Sequence, residues 1–276
     1  MPLTILFTAK AALWPKYHPL LAAGFAKAGL DVRLVTETSD PASIDYLIYA
    51  PTAEDEDLSG FTNLKLIQSL WAGPDKLLRN PTLTQPLARM VDPGMSEGMV
   101  EYVTGHILRY HLNTDQLERL EEGEWRNDLS PPLARQRTVG FLGLGALGLA
   151  CARAAQALNF NILGWSRGPK EGLGFACFSG QTGLDTLLEQ SDIVVALLPA
   201  TPQTDGLLGA SRLAKIKYGA ALINAGRSNI LDEAALIAAL KAGRLRGATL
   251  DVFDAEPLPQ DHPFWTLPQV LSLIHI

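Results

Sequence analysis

Arg137-Thr138-Val139-Gly140-Phe141-Leu142-Gly143-Leu144-Gly145-Ala146-Leu147-Gly148 is the stretch on which the fold turns. The apolar run Val139 to Leu142 reads as a buried strand, and it leads straight into Gly143-x-Gly145-x-x-Gly148. A helical pattern follows, Leu149 to Leu158, and then a second strand, Asn161 to Trp165. The first glycine permits a tight turn, the second lets the backbone approach a pyrophosphate, and the third lets helix and strand pack closely. The helix N-terminus then faces the anion. A glycine-rich buried turn would match the three glycines alone. The strand before them, the helix after them and the second strand at the right distance favour a dinucleotide site, with Ala146 and Leu147 completing the turn.

The end of the second strand bears on which dinucleotide. An NAD site wants Asp or Glu about 20 residues past the glycines, to accept from the ribose 2′-hydroxyl. This chain has Trp165-Ser166-Arg167, with Lys170 close behind. A hydroxyl and a guanidinium suit a 2′-phosphate, and no carboxylate repels its charge. The plain alternative for Arg167 is a solvated loop cation. The missing carboxylate favours NADPH, with NADH the poorer cofactor.

Working outward, the first hundred residues alternate strand and helix signals. Strands are expected at Thr4 to Thr8, Val32 to Thr36, Tyr46 to Tyr49, Leu64 to Ser69 and Leu87 to Val91. A helix is expected over Tyr17 to Ala28, closed by Gly29. A single long helix is expected from about Ser96 to Glu124, as a connector. Beyond the glycine turn, strands are expected at Ile193 to Leu197, Ala221 to Asn224 and Ala248 to Val252, with a helix over Asp232 to Ala242. The chain is therefore read as α/β, with two doubly wound parallel-sheet domains. Residues 1–100 form a smaller, flavodoxin-like substrate domain and residues 101–276 a Rossmann cofactor domain.

Composition limits the partners. A chain of 276 residues can hold two modest domains. At 47% hydrophobic and 19% charged it describes an ordinary soluble enzyme, and its net charge of −6 argues against a nucleic-acid binder. Two cysteines, Cys151 and Cys177, without metal spacing fit a reducing cytoplasm and no metal site. Cys151 reads as a packing residue. No stretch suggests a membrane span, and the apolar N-terminus reads as a first strand rather than a signal peptide.

Three polar residues stand at successive strand ends. Arg227 follows Leu222-Ile223-Asn224-Ala225-Gly226, Glu256 follows Leu250 to Ala255, and His275 follows the apolar run Gln269 to Ile274. In open α/β sheets ligands bind beyond the carboxyl ends of the strands, so the three could converge. Each also has a bland reading: surface cation, solvated turn carboxylate and chain-end residue.

Several stretches taken together resemble the D-2-hydroxyacid dehydrogenase family. They are Ala72-Gly73-x-Asp75, Gly94-Met95-x-Glu97-x-Met99-x-Glu101-Tyr102, the glycine turn, Trp165-Ser166-Arg167, Leu197-Leu198-Pro199-x-Thr201-x-x-Thr204, Asn224-x-x-Arg227 and Leu250-Asp251-Val252-Phe253-x-x-Glu256-Pro257-Leu258-Pro259. Within the family the likeness is to bacterial NADPH-dependent reductases of glyoxylate and hydroxypyruvate, and it covers essentially the whole chain. It implies a small 2-ketoacid substrate, reduction by hydride transfer to glycolate or D-glycerate, and a cytoplasmic homodimer. It also implies roles for single residues. Arg227 binds the substrate carboxylate and polarises the ketone, His275 protonates the carbonyl oxygen, and Glu256 hydrogen-bonds that imidazole. Backbone N–H groups at Ala72 and Gly73 hold the carboxylate from its other side. Leu198, Pro199, Thr204, Ala225 and Gly226 border the cofactor, and Asp251 accepts from the carboxamide. The alternatives are a related dehydrogenase acting on another 2-ketoacid, such as pyruvate or a branched ketoacid, and a dinucleotide-binding protein without turnover. Retention of both Arg227 and Glu256 speaks against the last.

The likeness has departures. Ser228 stands where the family commonly has Gly after the catalytic Arg. Pro74 replaces a small aliphatic residue, which stiffens the substrate loop. The family usually reads Thr-Pro-His-x-Ala near its end and continues into a helix that returns to the first domain. Here the sequence reads Leu271-Ser272-Leu273-Ile274-His275-Ile276. Those six residues are what read-through into a sequencing-library adapter would encode, so they are expected to be non-native, although His275 falls in the family register. A chain without the return segment is expected to bind NADPH yet reduce glyoxylate poorly.

Overall fold

The computed structural model describes residues 2–50, 57–120 and 123–272, folded around two separate parallel sheets. The chain divides into one compact unit of Met1–Asp92 and another of Pro93–Ile276.

In the first unit, five strands lie in the order β2-β1-β3-β4-β5: β1 Leu3–Thr8, β2 Val32–Val35, β3 Tyr46–Tyr49, β4 Leu66–Ser69 and β5 Leu87–Ala88. Every pairing is parallel, and the order is that of flavodoxin-like sheets. Alternate residues feed two faces. Ile5, Phe7 and Ile48 face the helix α1 (Trp14–Lys27), whereas Leu6, Leu47, Tyr49 and Ile67 build the opposite core. Gly29, at φ +68°, ends the turn after α1. The fifth strand is shorter than its sequence suggests, only two residues. A short helix, α2 (Asp75–Leu78), follows the loop beyond β4.

The second unit begins with α3, Pro93–His111, which buries Val103, Ile107 and Tyr110 against the larger sheet. For that reason the division falls at Asp92 and not at residue 100. The connector is also not one helix running from Ser96 to Glu124. After α3 the chain breaks, and a single turn, α4 (Thr114–Leu117), follows. Asn113 at φ +59° makes the break, a conformation that Asn tolerates better than most residues. Its amide donates to the Leu129 carbonyl at 2.7 Å, and Arg246 Nη1 donates to its Oδ1 at 3.0 Å. Arg246 also pairs with the fully buried Asp115. A continuous helix would leave these buried polar groups without those partners.

The second sheet runs β12-β11-β10-β9-β6-β7-β8, all parallel. Its strands are β6 Thr138–Leu142, β7 Asn161–Trp165, β8 Ala176–Phe178, β9 Ile193–Ala196, β10 Ala220–Asn224, β11 Leu245–Leu250 and β12 Val270–Ser272. Counted from β6, the order is the Rossmann 3-2-1-4-5-6 with one further strand at the edge. Both faces are covered. Val139, Phe141, Val195 and Ile223 pack under α3 and α5 (Ala146–Ala157). Leu142, Val194, Ala196 and Leu222 pack under α6 (Gly180–Gln190), α7 (Ala210–Leu213) and α8 (Glu233–Lys241). Cys151 is packing, as read: it is buried on α5, and burial pushes its thiol pKa up to about 12. Leu271 and Ser272 pair with Thr249 and Leu250 in the edge strand β12, and His275 lies outside the described residues.

Candidate active site

Strand order puts the topological switch of the second sheet between β6 and β9, so the loops after these two strands flank one crevice. The glycine turn lies on one side. Gly143 has φ +99°, which a side chain would resist, and a β-carbon there would stand 2.7 Å from the Leu197 carbonyl oxygen. A β-carbon at Gly148 would stand 1.9 Å from the Gly143 carbonyl oxygen, so α5 can approach the turn only without one. Gly145 differs, since no protein atom lies within 4 Å of where its β-carbon would be. Gly145 is also the N-cap of α5 and has no side chain to satisfy the first-turn N–H groups near Ala146 and Leu147. The turn therefore combines open space with unsatisfied donors at a helix N-terminus. That combination fits a pyrophosphate.

Trp165 and Ser166 are buried at the end of β7, and Arg167 is exposed. Trp165 Nε1 donates to the Gly180 carbonyl at 2.8 Å, so the indole anchors the strand end. Ser166 Oγ donates to the Gly168 carbonyl at 2.6 Å and shapes the turn that presents Arg167. Lys170 donates to the carbonyl of Leu144, inside the glycine turn, at 2.9 Å. Two cations thus stand on the loop after β7, one of them tied to the turn.

On the other side of the crevice, Leu198 is buried and Pro199 exposed. Thr204 is buried, and its hydroxyl donates to the Pro199 carbonyl at 2.7 Å and accepts from Thr201 N–H at 2.9 Å. Its visible work is therefore to brace the loop that carries Pro199.

The next loop carries Arg227. A β-carbon at Gly226 would stand 2.9 Å from both the N and the O of Leu198, so the two loops touch backbone to backbone. Asn224, 1% exposed, organises the turn: its Oδ1 accepts from Gly226 N–H at 3.2 Å, and its Nδ2 donates to the Arg227 carbonyl at 3.1 Å. Arg227 Nη1 donates to the Gly226 carbonyl at 2.8 Å. Ala225 is buried beneath it. Asp251, beyond β11, is buried, and its backbone N–H donates to the Asn224 carbonyl at 3.0 Å. Burial, and then the Asp251 charge, raise the phenol pKa of Tyr102 on α3 well above its ordinary value.

Glu256 is exposed on the loop after Asp251, and its Oε1 accepts from Phe253 N–H at 3.1 Å. Ala72 and Gly73 belong to the first unit, in the loop after β4. Fully buried Ser69 fastens that loop, its Oγ accepting from Trp71 N–H at 3.0 Å. Ser69, Glu233 and His262 are residues that reading the sequence did not single out, and Asn224 entered it only within the Asn224-x-x-Arg227 stretch, without a role. A signal existed for two of them: Asn and Ser at strand ends readily bond to a backbone group two or three residues on. Among the described residues, no cluster of His, Cys, Asp and Glu could hold a metal, and no helix is long and apolar enough to cross a membrane.

Residues 105–276 match the family model described as D-isomer specific 2-hydroxyacid dehydrogenase, NAD binding domain. The chain is 37% identical to the glyoxylate/hydroxypyruvate reductase A of Yersinia enterocolitica, over 94% of this chain and 87% of that protein. Its fold is similar to a D-isomer specific 2-hydroxyacid dehydrogenase from Xanthobacter autotrophicus, solved with NADPH and MES, with a TM-score of 0.90 and 38% identity over all of this chain and 89% of that one. It is also similar to an NADPH-dependent glyoxylate/hydroxypyruvate reductase from Sinorhizobium meliloti, solved with NADP and sulfate. There the TM-score is 0.85 and the identity 34%, covering 98% of this chain and 87% of that one.

Proposed function

The chain belongs to the D-isomer specific 2-hydroxyacid dehydrogenases, and from that premise we propose that it reduces glyoxylate and hydroxypyruvate with NADPH. The products are glycolate and D-glycerate. The observation that carries the reading is the pairing of two features in one sheet. One is a phosphate-ready turn with Arg167 and Lys170 beside it; the other is Arg227 held by Asn224 at the carboxyl edge. The names of the relatives support the same substrates and cofactor.

Bound NADPH supplies a hydride to the carbonyl carbon of the ketoacid. Arg227 grips the substrate carboxylate with its planar fork and places positive charge where the alkoxide develops. His275 delivers the proton to the carbonyl oxygen, and Glu256 favours the imidazolium that carries it. Asp251 orients the carboxamide, and the loop of Leu198 and Pro199, braced by Thr204, borders the ribose together with Ala225 and Gly226.

In the same reading the enzyme is a cytoplasmic homodimer. Unpaired Cys151 and Cys177 support a reducing compartment. Exposed Leu112, Leu117, Trp125 and Leu133, gathered in one stretch of the second unit, support a partner surface.

The test is NADPH oxidation by the purified protein with glyoxylate, hydroxypyruvate and pyruvate in parallel, alongside light scattering for the dimer. Turnover of the first two above pyruvate is expected. Preference for pyruvate would move the assignment to a related dehydrogenase, and NADPH binding without any turnover would remove the enzymatic reading.

A further inference from the structure

A carboxylate at the start of α8 is turned away from the helix it begins. The α8 N-terminus is already capped, because Asp232 accepts from Ala235 N–H at 2.9 Å. Glu233, the next residue, is left to point elsewhere. Its Oε1 accepts from the backbone N–H of Asp254 at 3.2 Å, and its Oε2 lies 3.3 Å from His262 Nε2. His262 Nδ1 in turn accepts from Phe264 N–H at 3.2 Å. That bond assigns the ring proton to Nε2, which therefore donates to Glu233. The Glu233 and His262 side chains are only 18% and 19% exposed, and both oxygens of the carboxylate have partners.

The segment held in this way is the one that carries Glu256. Phe253 N–H goes to Glu256 itself and Asp254 N–H goes to Glu233. The loop is thus fixed at adjacent residues, once by its own carboxylate and once from outside.

We infer that Glu233, itself oriented by His262, is the positioning residue for Glu256, setting the loop from which Glu256 meets the proton donor. The inference rests on the proposed role of Glu256. It predicts that Glu233 and Glu256 act as one unit, so that losing both costs little more than losing Glu256.

The experiment is steady-state kinetics of the full chain with NADPH and glyoxylate for Glu256→Gln, Glu233→Ala and the double variant. NADPH affinity and thermal midpoint are measured alongside. Glu233→Ala is expected to lower kcat about tenfold while glyoxylate KM and NADPH affinity stay within about twofold. The double variant is expected to match Glu256→Gln, with the two losses not multiplying. His262→Phe should reproduce the Glu233→Ala loss, and His262→Gln, which keeps an N–H donor near the Nε2 position, should recover most of it. The His262 pair also answers the question if Glu233→Ala fails to fold. Losses that multiply, or a kcat that falls in Glu256→Gln but not in Glu233→Ala and His262→Phe, overturn the inference and leave the role of Glu256 standing. An unchanged kcat in Glu256→Gln removes the role of Glu256 and the inference with it.

Discussion

Lys170 donates its ammonium group to the carbonyl oxygen of Leu144 at 2.9 Å, joining the loop after the second Rossmann strand to the glycine turn. Arg167, three residues earlier, is exposed and points to a different kind of contribution. If both serve the 2′-phosphate alone, replacing either should weaken NADPH and spare NADH. The observed bond argues otherwise for the lysine. Lys170→Ala is expected to weaken both cofactors, because it releases the turn, while Arg167→Ala weakens NADPH only. The intact protein is expected to prefer NADPH at least tenfold, about 1.4 kcal/mol. Fluorescence titration of both variants with both cofactors measures this, and a Lys170→Ala loss confined to NADPH would make the bond to Leu144 incidental.

The turn that presents Arg227 depends on Asn224, which is almost fully buried and bonds to backbone groups of Gly226 and Arg227. Asn224→Ala leaves those groups short of partners, at a cost of about 1–3 kcal/mol. Catalytic efficiency toward glyoxylate should fall, as the guanidinium loses its registration, while NADPH affinity holds. Arg227→Lys keeps the charge and loses the fork, so KM should rise and kcat fall together. Unchanged glyoxylate kinetics in a folded Asn224→Ala protein would separate the asparagine from the site.

Much of this arrangement was legible in the sequence, and the gaps have physical causes. The glycine turn, the strands on either side of it and the strand-end positions of Arg227 and Glu256 follow from short apolar runs and turn chemistry, whereas Asp251 was singled out only through the family resemblance. The NADPH reading rested on one missing carboxylate after Trp165, and relatives solved with NADPH and NADP agree with it. The long helix over Ser96 to Glu124 was misread because helical periodicity is blind to tertiary partners. Only the fold reveals that Asn113 and Asp115 meet Arg246, 133 and 131 residues away. The edge strand Ala176–Phe178 was too short and too poorly patterned to see. Glu233 and His262 were invisible for the same reason as Asn113, since neither has a local signature for a partner brought by the fold.

That distant partnership predicts a large loss of stability. Asp115 is fully buried against Arg246, and Arg246 lies 5.7 Å from the centre of the Tyr110 ring. Removing one member of a buried ion pair strands the other, typically at about 3–5 kcal/mol. Asp115→Ala should therefore lower the thermal midpoint of the second unit markedly. Replacing Arg246 with Met in the same protein should recover part of the loss. A midpoint that moves little in Asp115→Ala would show that solvent reaches Arg246 readily.

Two histidines on α3 set a pH dependence. Burial lowers the pKa of His106, helped by Arg109, and burial also lowers that of His111, helped by Arg137. Each therefore folds preferentially as the neutral ring. Above about pH 6.5, the ordinary value, both states are neutral and the groups have no effect. As pH falls below it, the unfolded chain takes up protons that the folded chain refuses, so stability declines until the folded pKa is reached. Replacing both histidines with Gln should flatten the midpoint between pH 7 and the acid side, about pH 5, in a thermal melt series. A slope that survives both changes would have to come from carboxylates.

The glycine turn separates what folds the protein from what it holds. A methyl group at Gly148 would collide with the Gly143 carbonyl oxygen, a backbone atom that cannot swing aside, so α5 must shift. Gly148→Ala is expected to lower both thermal midpoint and NADPH affinity. A methyl group at Gly145 would meet no protein atom within 4 Å. Gly145→Ala should therefore cost only what Ala loses to Gly at a helix N-cap, about 1 kcal/mol, and lower the midpoint by no more than a few degrees. Its NADPH affinity should nevertheless fall at least tenfold, because the space it fills is where the pyrophosphate approaches the backbone. The contrast is the informative part. If Gly145→Ala binds NADPH as the parent does, the open side of the turn is not the pyrophosphate site, whatever the fold.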